Sequence, residues 1–275
     1  MLVKSVLLVA AAALSTSTPI RRQGGGGGRS SPCTATPPTS SGGAGGEVVI
    51  PTLPAVGADP ELADPPTDVT LSAIGLGHGI QNYTCVSTNG TLESKALGAL
   101  AVLYDITDLY PGVSAKSLPN EAAFNQLPVP VVENLELPLN IDTSVETDTS
   151  VPATSEPFID PPTGIEMRGQ TYPFLGRHFF NADGVPTFDL EQEKGLLAVL
   201  KKDDAVSAPG SADAGPMGTG AVAWLQLSDN GDSKGVSYVY RVNTAGGVAQ
   251  PCSSEGETGS VSYSAMYWFY VPTTA

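Results

Sequence analysis

Two cysteines bracket the part of this chain that has the composition of a folded domain. Cys85 lies in segment 77–86 (GHGIQNYTCV) and Cys252 in segment 241–270, and both segments carry the two-residue alternation of a β-strand. A bond between them would close a very long loop, for which the chain-entropy model gives about 5 kcal/mol of stabilisation. We therefore expect a Cys85–Cys252 disulfide that ties the two ends of the domain together.

The third cysteine, Cys33, lies in the low-complexity stretch RSSPCTATPPTSS. No neighbouring structure is expected there to hold it near a partner, so we expect it to be the odd cysteine. Whether it pairs with another chain stays open.

The first eighteen residues have the pattern of a secretory signal peptide. Lys4 precedes a short apolar run from Val6 to Leu14, and small polar residues follow. Nine apolar residues are too few to span a bilayer. We expect residues 1–18 to direct secretion and residues 19–66, rich in Gly, Ser and Pro, to form a disordered stalk. The Arg21-Arg22 pair is either a processing site or incidental.

Charge excludes two classes of partner. The chain carries 28 acidic and 13 basic residues, for a net charge of −15. Such a surface repels phosphate backbones and anionic lipid heads. We therefore expect no nucleic-acid partner and no membrane association.

Short strand-like runs dominate the remaining sequence, and few helices are expected. Glycine-rich segments such as 75–77, 229–232 and 245–247 are typical of turns between antiparallel strands. These features predict an all-β, mainly antiparallel domain over residues 67–272, built as a single sandwich or barrel. The expected strands are 69–74, 80–86, 99–106, 221–227, 237–242 and 261–271.

Three other segments interrupt this pattern. Residues 120–126 predict a short helix after Pro119, and residues 189–201 predict a second, although Gly195 weakens it and a strand over 196–200 competes. Residues 139–162 are acidic and rich in Thr, Ser and Pro, so we expect an exposed, mobile insert.

Two N-glycosylation acceptors lie near Cys85. They are Asn82, in Asn-Tyr-Thr, and Asn89, in Asn-Gly-Thr. Asn82 and Cys85 are three residues apart, so on one strand they point to opposite faces. Asn89-Gly90 is a hairpin-turn dipeptide, which would expose the second acceptor.

Familiar catalytic patterns are missing. The chain has two histidines, His78 and His178, no G-x-S-x-G motif and no paired-histidine metal spacing. The glycines around His78 begin a dinucleotide fingerprint but lack its last glycine and the following helix. We therefore assign no catalytic, cofactor-binding or metal-binding residue and expect no cofactor.

Paired carboxylates remain the one catalytic arrangement that the composition permits. Asp105 and Asp189 could flank a glycosidic bond, with Arg177 or His178 nearby. Convergence of these side chains beside a cleft would favour that chemistry, whereas scattered positions would exclude it.

Several sequence segments resemble the family catalogued as domain of unknown function 3455, found in secreted proteins of filamentous fungi and in some bacteria. The matching pieces, which span about residues 67–272, are GIQNYTC at 79–85, ALAVLYD at 99–105, GRHFF at 176–180, VPTFD at 185–189, VAWL at 222–225 and RVNTAGG at 241–247, followed by Cys252 and residues 263–270. The resemblance implies a secreted β-rich domain with no established activity. Fungal members are often labelled malate dehydrogenase, but this chain lacks the glycine fingerprint and the strand-helix alternation of that enzyme.

These observations lead to a hypothesis of function. We expect a secreted glycoprotein that acts as a non-catalytic binding or structural domain outside the cell or in the cell wall, with an extracellular polysaccharide as its partner. The alternative is a secreted carbohydrate-active hydrolase that uses paired carboxylates.

Overall fold

The computed structural model describes residues 49–57 and 60–273. The expected signal peptide, the dibasic pair and Cys33 lie outside these residues. Twelve strands are present: β1 (Val69–Thr88), β2 (Thr91–Asp105), β3 (Leu139–Ile141), β4 (Ala153–Phe158), β5 (Ile165–Met167), β6 (Gln170–Tyr172), β7 (Phe174–Phe180), β8 (Pro186–Leu190), β9 (Leu196–Val206), β10 (Trp224–Asp229), β11 (Tyr238–Gly246) and β12 (Thr258–Pro272). The helices are α1 (Glu121–Asn125), α2 (Pro128–Asn134), α3 (Glu191–Lys194) and a 3₁₀ turn at Thr107–Leu109.

Eight of these strands close into a barrel in the order β1-β12-β11-β10-β9-β8-β7-β2. Every neighbouring pair is antiparallel, and β2 pairs back onto β1 to complete the circle. Closure leaves no free sheet edge. The predicted mainly antiparallel β-fold is confirmed, and of the two expected architectures the structure adopts the barrel.

Both faces of the barrel wall are buried along β1 and β12, and they belong to two separate cores. The inner face contributes residues such as Leu103, Leu175, Leu200, Val239 and Phe269. The outer face contributes a second set that includes Ile74, Tyr240, Met266 and Trp268. Helices α1 and α2 cover the outer set with Phe124 and Val131, which are fully buried. An amphipathic strand normally buries one face, so this outer layer explains why β12 is apolar on both.

The glycines at 75–77 do not form the expected turn. They lie within β1, which runs unbroken from Val69 to Thr88. Gly75, Gly77 and Gly79 pair with Tyr267, Ala265 and Tyr263 of β12, whose side chains belong to the inner core. A Cβ at Gly75 or Gly77 would meet inner-core side chains, and a Cβ at Gly79 would meet the backbone of β2, so glycine is needed at all three positions.

The predicted helix at 189–201 is largely wrong. β8 continues to Leu190, a single helical turn follows as α3, and Gly195 then adopts a φ of 67° that ends the turn. Residues 196–206 form β9, so the competing strand interpretation is the right one. The predicted helix near 120–126 is present as α1, and Asn120 caps it by accepting a hydrogen bond from the amide of Ala123 at 2.8 Å.

Two regions assigned to loop or stalk are structured. Residues 139–162 contain β3 and β4, which form a small hairpin rather than an irregular loop, and the Val151 amide donates to the Ser260 carbonyl at 2.9 Å. Residues 49–57 and 60–66 contribute Leu53, Val56 and Leu62 to the outer core. Within the predicted stalk, these residues thus place apolar side chains on the barrel, and residues 19–48, 58 and 59 lie outside the described part of the chain.

The Cys85–Cys252 disulfide is present, with a Cα–Cα distance of 5.6 Å and a sequence separation of 167 residues. It links β1 to the connection between β11 and β12. Among the described residues, no helix is both long and apolar enough to cross a membrane.

Candidate functional site

A cavity of about 360 Å³ lies in the barrel lumen. Apolar side chains from the inner core fill the rest of the lumen, so the cavity occupies only one part of it. Its volume is within the range of small-molecule sites, which is about 300–1,000 Å³. The lining residues are Gln81, Ala96, Gly98, Ala99, His178, Phe180, Pro186, Phe188, Lys202, Leu225, Leu227, Arg241 and Tyr267.

The cavity is bounded by small residues on β2 and by aromatic rings on the neighbouring strands β7 and β8. On β2, Ala96, Gly98 and Ala99 provide almost no side-chain volume. Gly98 has a φ of 144°, and a Cβ there would come within 2.8 Å of the Phe180 ring. On β7 and β8, Phe180 and Phe188 provide large apolar surfaces. The small wall leaves the space and the aromatic wall makes it apolar.

Arg241 is the central charged group of the cavity. Arg241 lies on β11, and its cross-strand partner on β10 is Leu225, which also lines the cavity. Its Nε and Nη2 atoms donate to the Ala223 carbonyl at 3.1 and 2.8 Å. These bonds hold the guanidinium group in place but leave its charge uncompensated, since the ion pairs among the described residues involve Arg177, Lys194 and Lys234 instead.

The other polar groups of the cavity lining, Lys202 and Gln81, provide hydrogen-bond donors and no negative charge. Lys202 is exposed and lines the cavity from β9. Gln81 is buried, and its amide nitrogen has no hydrogen-bond partner of normal geometry among the described residues. No acidic residue belongs to the described lining. The cavity is therefore a locally cationic site in a chain whose net charge is −15.

Two tyrosine hydroxyls meet beside Arg241. The hydroxyls of Tyr263 and Tyr267 are 2.8 Å apart, and both side chains are buried. Burial raises the pKa of Tyr267, and the neighbouring Arg241 guanidinium and Tyr263 hydroxyl reduce this shift. Burial likewise raises the pKa of Tyr263 well above its ordinary value. Both phenols therefore remain protonated at neutral pH.

His178 provides a neutral imidazole in the cavity wall. Its Nδ1 lies 2.9 Å from the Thr187 carbonyl oxygen, and its ring stacks on Phe188 with centroids 4.0 Å apart and planes 6° apart. Burial lowers the pKa of His178 to about 4, although the bond to Thr187 opposes the shift and Arg241 adds to it. The ring is therefore uncharged at neutral pH.

The structure separates the two histidines that the sequence analysis named together. His78 pairs with Val102, and Val102 pairs with Arg177, so these three side chains share the outer face. His178 pairs with Ala101 on the inner face. His78 is fully buried, both of its ring nitrogens lack partners among the described residues, and burial lowers its pKa to about 4.

Arg177 also lies away from the cavity. Its guanidinium carbon is 5.2 Å from the centre of the Phe158 ring on β4, and Nη2 is 3.8 Å from Oδ1 of Asp160. This contact holds the β3–β4 hairpin against the barrel. The sequence offered five candidate ligand or acid residues: His78, Asp105, Arg177, His178 and Asp189. Of these, only His178 lines the cavity.

The two carboxylates do not form a catalytic pair. Asp105 lines a separate surface pocket of about 330 Å³, and Asp189 is not among the residues lining that pocket. Burial favours a raised pKa for Asp105, but hydrogen bonds from Thr107 and the Lys194 ammonium, 2.9 Å away, lower it overall. Asp189 instead accepts a hydrogen bond from the Glu191 amide at 3.0 Å. The two carboxylates therefore do not line this pocket together, as paired-carboxylate hydrolysis would require.

The two glycosylation acceptors differ in environment. Asn82 is half-buried, and its Oδ1 accepts a hydrogen bond from the Ser260 hydroxyl at 2.7 Å. Asn89 is exposed at the β1–β2 turn with a φ of 53°, followed by Gly90 at 82°. Both central residues of the turn are left-handed, as a type I′ hairpin requires.

Sequence reasoning missed four residues of the cavity, namely Arg241, Gln81, Lys202 and Tyr267. A usable signal was present at Arg241. This long cation stands in the strand YVYRV, where every neighbour favours burial. Charged residues in such a position need a partner or a ligand.

Taken together, the fold and the cavity define a closed, eight-stranded antiparallel barrel with an internal, cation-lined pocket. The chain belongs to the family described as Protein of unknown function (DUF3455), whose model matches residues 65–271. No curated protein and no solved structure gives a significant match to the chain.

Proposed function

We propose that this protein is an exported, non-catalytic binding protein whose barrel cavity holds a small organic anion with an apolar body. The observation that carries the proposal is the composition of the lining: Arg241 and Lys202 supply two positive charges, and no described lining residue supplies a negative one. Arg241 is half-buried and belongs to no ion pair among the described residues, and an anionic ligand would compensate its charge.

The two kinds of wall specify complementary parts of the ligand. Arg241 would bind a carboxylate through a charge-assisted hydrogen bond, which contributes about 1.5–3 kcal/mol. Phe180, Phe188 and Leu225 would bury its apolar body, at about 25 cal/mol for each Å² of apolar surface removed from water. Neither contact alone would select the ligand, since selectivity comes from their combination in one enclosed space.

The cellular setting follows from the disulfide and the sequence pattern. Disulfides persist in oxidising compartments, so the Cys85–Cys252 bond is compatible with an extracellular protein. An extracellular polysaccharide partner and attachment to the cell wall remain predictions. Depletion of the protein from solution by insoluble chitin, glucan or cellulose would test them separately from the cavity.

Isothermal titration calorimetry with phenylpropanoate and its neutral amide, phenylpropanamide, tests the charge requirement on the unaltered protein. We expect the acid to bind at least tenfold more tightly than the amide, because only the acid can pair with Arg241. Equal affinity for the two compounds would overturn the proposal, and so would failure of phenylpropanoate to bind.

Arg241→Met and Arg177→Met form a matched pair of variants. Both remove an arginine charge, but only the first does so in the cavity. We expect Arg241→Met to weaken phenylpropanoate binding at least tenfold and Arg177→Met to leave it unchanged. Because Arg241 also binds Ala223, circular dichroism must establish folding. Ala99→Leu, which should fill the small wall, provides a second variant that keeps the charge.

A further inference from the structure

The cavity wall opposite Arg241 carries a hydrogen-bond acceptor with a defined position, the Nε2 atom of His178. We infer that the ligand is a hydroxy acid, whose carboxylate binds Arg241 and whose hydroxyl group donates to His178 Nε2. This inference rests on the proposed function, because it concerns a second contact of the same ligand.

The bond between His178 and Thr187 determines the tautomer of the ring. A backbone carbonyl oxygen can only accept a hydrogen bond, so Nδ1, 2.9 Å from the Thr187 oxygen, must carry the proton. In the neutral ring the other nitrogen, Nε2, then has a free lone pair. Among the described residues the ring makes a hydrogen bond only through Nδ1, so Nε2 is free to accept a hydrogen bond from a ligand.

The surroundings of His178 keep this acceptor in one orientation and one charge state. The ring stacks on Phe188 and also contacts Phe180 and Tyr267, with centroids 5.8 and 5.6 Å away. Burial lowers the pKa of His178 to about 4, so Nε2 stays unprotonated at neutral pH and remains an acceptor. A neutral, oriented acceptor of this kind selects for a ligand donor.

The position of His178 separates the two contacts. His178 is on β7 and Arg241 is on β11, and strands β8, β9 and β10 lie between them around the barrel. The carboxylate and the hydroxyl must therefore approach different walls. This arrangement favours an acid whose hydroxyl is separated from the carboxylate by the apolar body, rather than one with both groups on adjacent atoms.

The test is a series of titrations with phenylpropanoate and its ortho, meta and para ring-hydroxylated forms. One net hydrogen bond strengthens binding by about threefold to tenfold. We expect at least one hydroxylated form to bind more tightly than phenylpropanoate by this factor. In His178→Phe, which keeps an aromatic ring against Phe188, that ratio should fall to about one. Arg177→Met, outside the cavity, should retain it.

Nitrogen NMR of the unaltered protein gives an independent readout in case His178→Phe does not fold. The Nε2 resonance should move toward its protonated value when the preferred hydroxy acid binds, and phenylpropanoate should not produce this shift. If phenylpropanoate binds through Arg241 and no hydroxylated form is preferred, the hydroxy-acid inference is overturned and the proposed function stands. If no acid binds, both are overturned.

Discussion

The ring of Tyr267 occupies the space that a side chain at position 77 would need. A Cβ on Gly77 would come within 2.6 Å of Tyr267 Cε2, closer than real contacts of this kind allow. Gly77 is thus the reason that a buried tyrosine can lie across the lumen and present its hydroxyl beside Arg241. The same packing explains why β1 tolerates alternating glycines in mid-strand, where they are normally unfavourable.

Gly77→Ala should destabilise the protein by about 1–3 kcal/mol, the usual cost of overpacking a core. The added methyl group must displace the Tyr267 ring, which is 1% exposed and packs against His178 and Phe188. Urea unfolding monitored by circular dichroism measures the change. Gly259→Ala is the control, because it lies in β12 with no atom within 4 Å of the new Cβ. A loss in Gly259→Ala as large as that in Gly77→Ala would contradict this explanation.

Removing the disulfide through Cys252→Ser should reduce the free energy of unfolding by about 2–5 kcal/mol. The bond restricts a loop of 167 residue steps in the unfolded chain. Thermal unfolding of the variant, with and without reductant, checks the value. Reductant should lower the melting temperature of the unaltered protein and have no effect on Cys252→Ser. Cys33→Ser should behave as the unaltered protein, because the bond uses the other two cysteines.

Stability should decrease as the pH falls from about 6.5 to about 4. Burial lowers the pKa of both His78 and His178 to about 4 from an ordinary value of 6.5. Between these values the unfolded chain binds protons that the folded protein does not, so the stabilisation is complete above pH 6.5 and is lost on acidification. Over this range each histidine changes the free energy of unfolding by up to about 1.4 kcal/mol per pH unit. Urea unfolding at a series of pH values measures it.

His78→Leu isolates one of the two histidines. Neither ring nitrogen of His78 has a partner among the described residues, so the substitution sacrifices no hydrogen bond there. In this variant we expect the free energy of unfolding to change with pH, between about 4 and 6.5, at about half the rate seen in the unaltered protein. Asp105 does not interfere, because its lowered pKa affects stability only at more acidic pH. An unchanged slope would show that His78 takes up a proton in the folded protein as readily as in the unfolded chain.

Asn89 should carry an N-linked glycan more completely than Asn82 when the protein is secreted from a eukaryotic host. Asn89 is exposed at a hairpin tip, whereas the Asn82 side chain is half-buried and bonded to Ser260. Intact-mass analysis before and after enzymatic deglycosylation compares the unaltered protein with Asn89→Gln and Asn82→Gln. Asn89→Gln should remove most of the glycan mass. A larger loss in Asn82→Gln would reverse the assignment.

Much of the fold could be predicted because its signals are local. The alternation of residues 261–271 identified β12, and the cysteines were assigned to one bond, both in agreement with the structure. The glycines of β1 were misinterpreted because glycine has two uses. It permits turns, and it also makes room for a neighbour, and only the position of Tyr267 reveals the second use. At Gly195, in contrast, the sequence indicated that the glycine weakens a helix over residues 189–201. The structure agrees, since Gly195 adopts a left-handed φ and ends a single helical turn.

The candidate site was harder to predict because alternation assigns residues to faces without saying which face encloses the lumen. In most sheets the apolar face is the buried one, but here α1, α2 and residues 49–57 and 60–66 bury the outer face as well. His78 and His178 therefore looked equivalent, and Arg241 looked like a residue of an ordinary strand.

The sequence by itself determined that the fold is mainly antiparallel β, which two cysteines pair and that the chain is acidic, because these properties depend on composition and on short-range periodicity. Tertiary structure decided that the sheet closes, with β1 paired to both β2 and β12. That closure brings His178, Arg241 and Tyr267 around one cavity, although they come from three different strands. Such long-range pairing is governed by how side chains fill a shared interior, which no local pattern encodes.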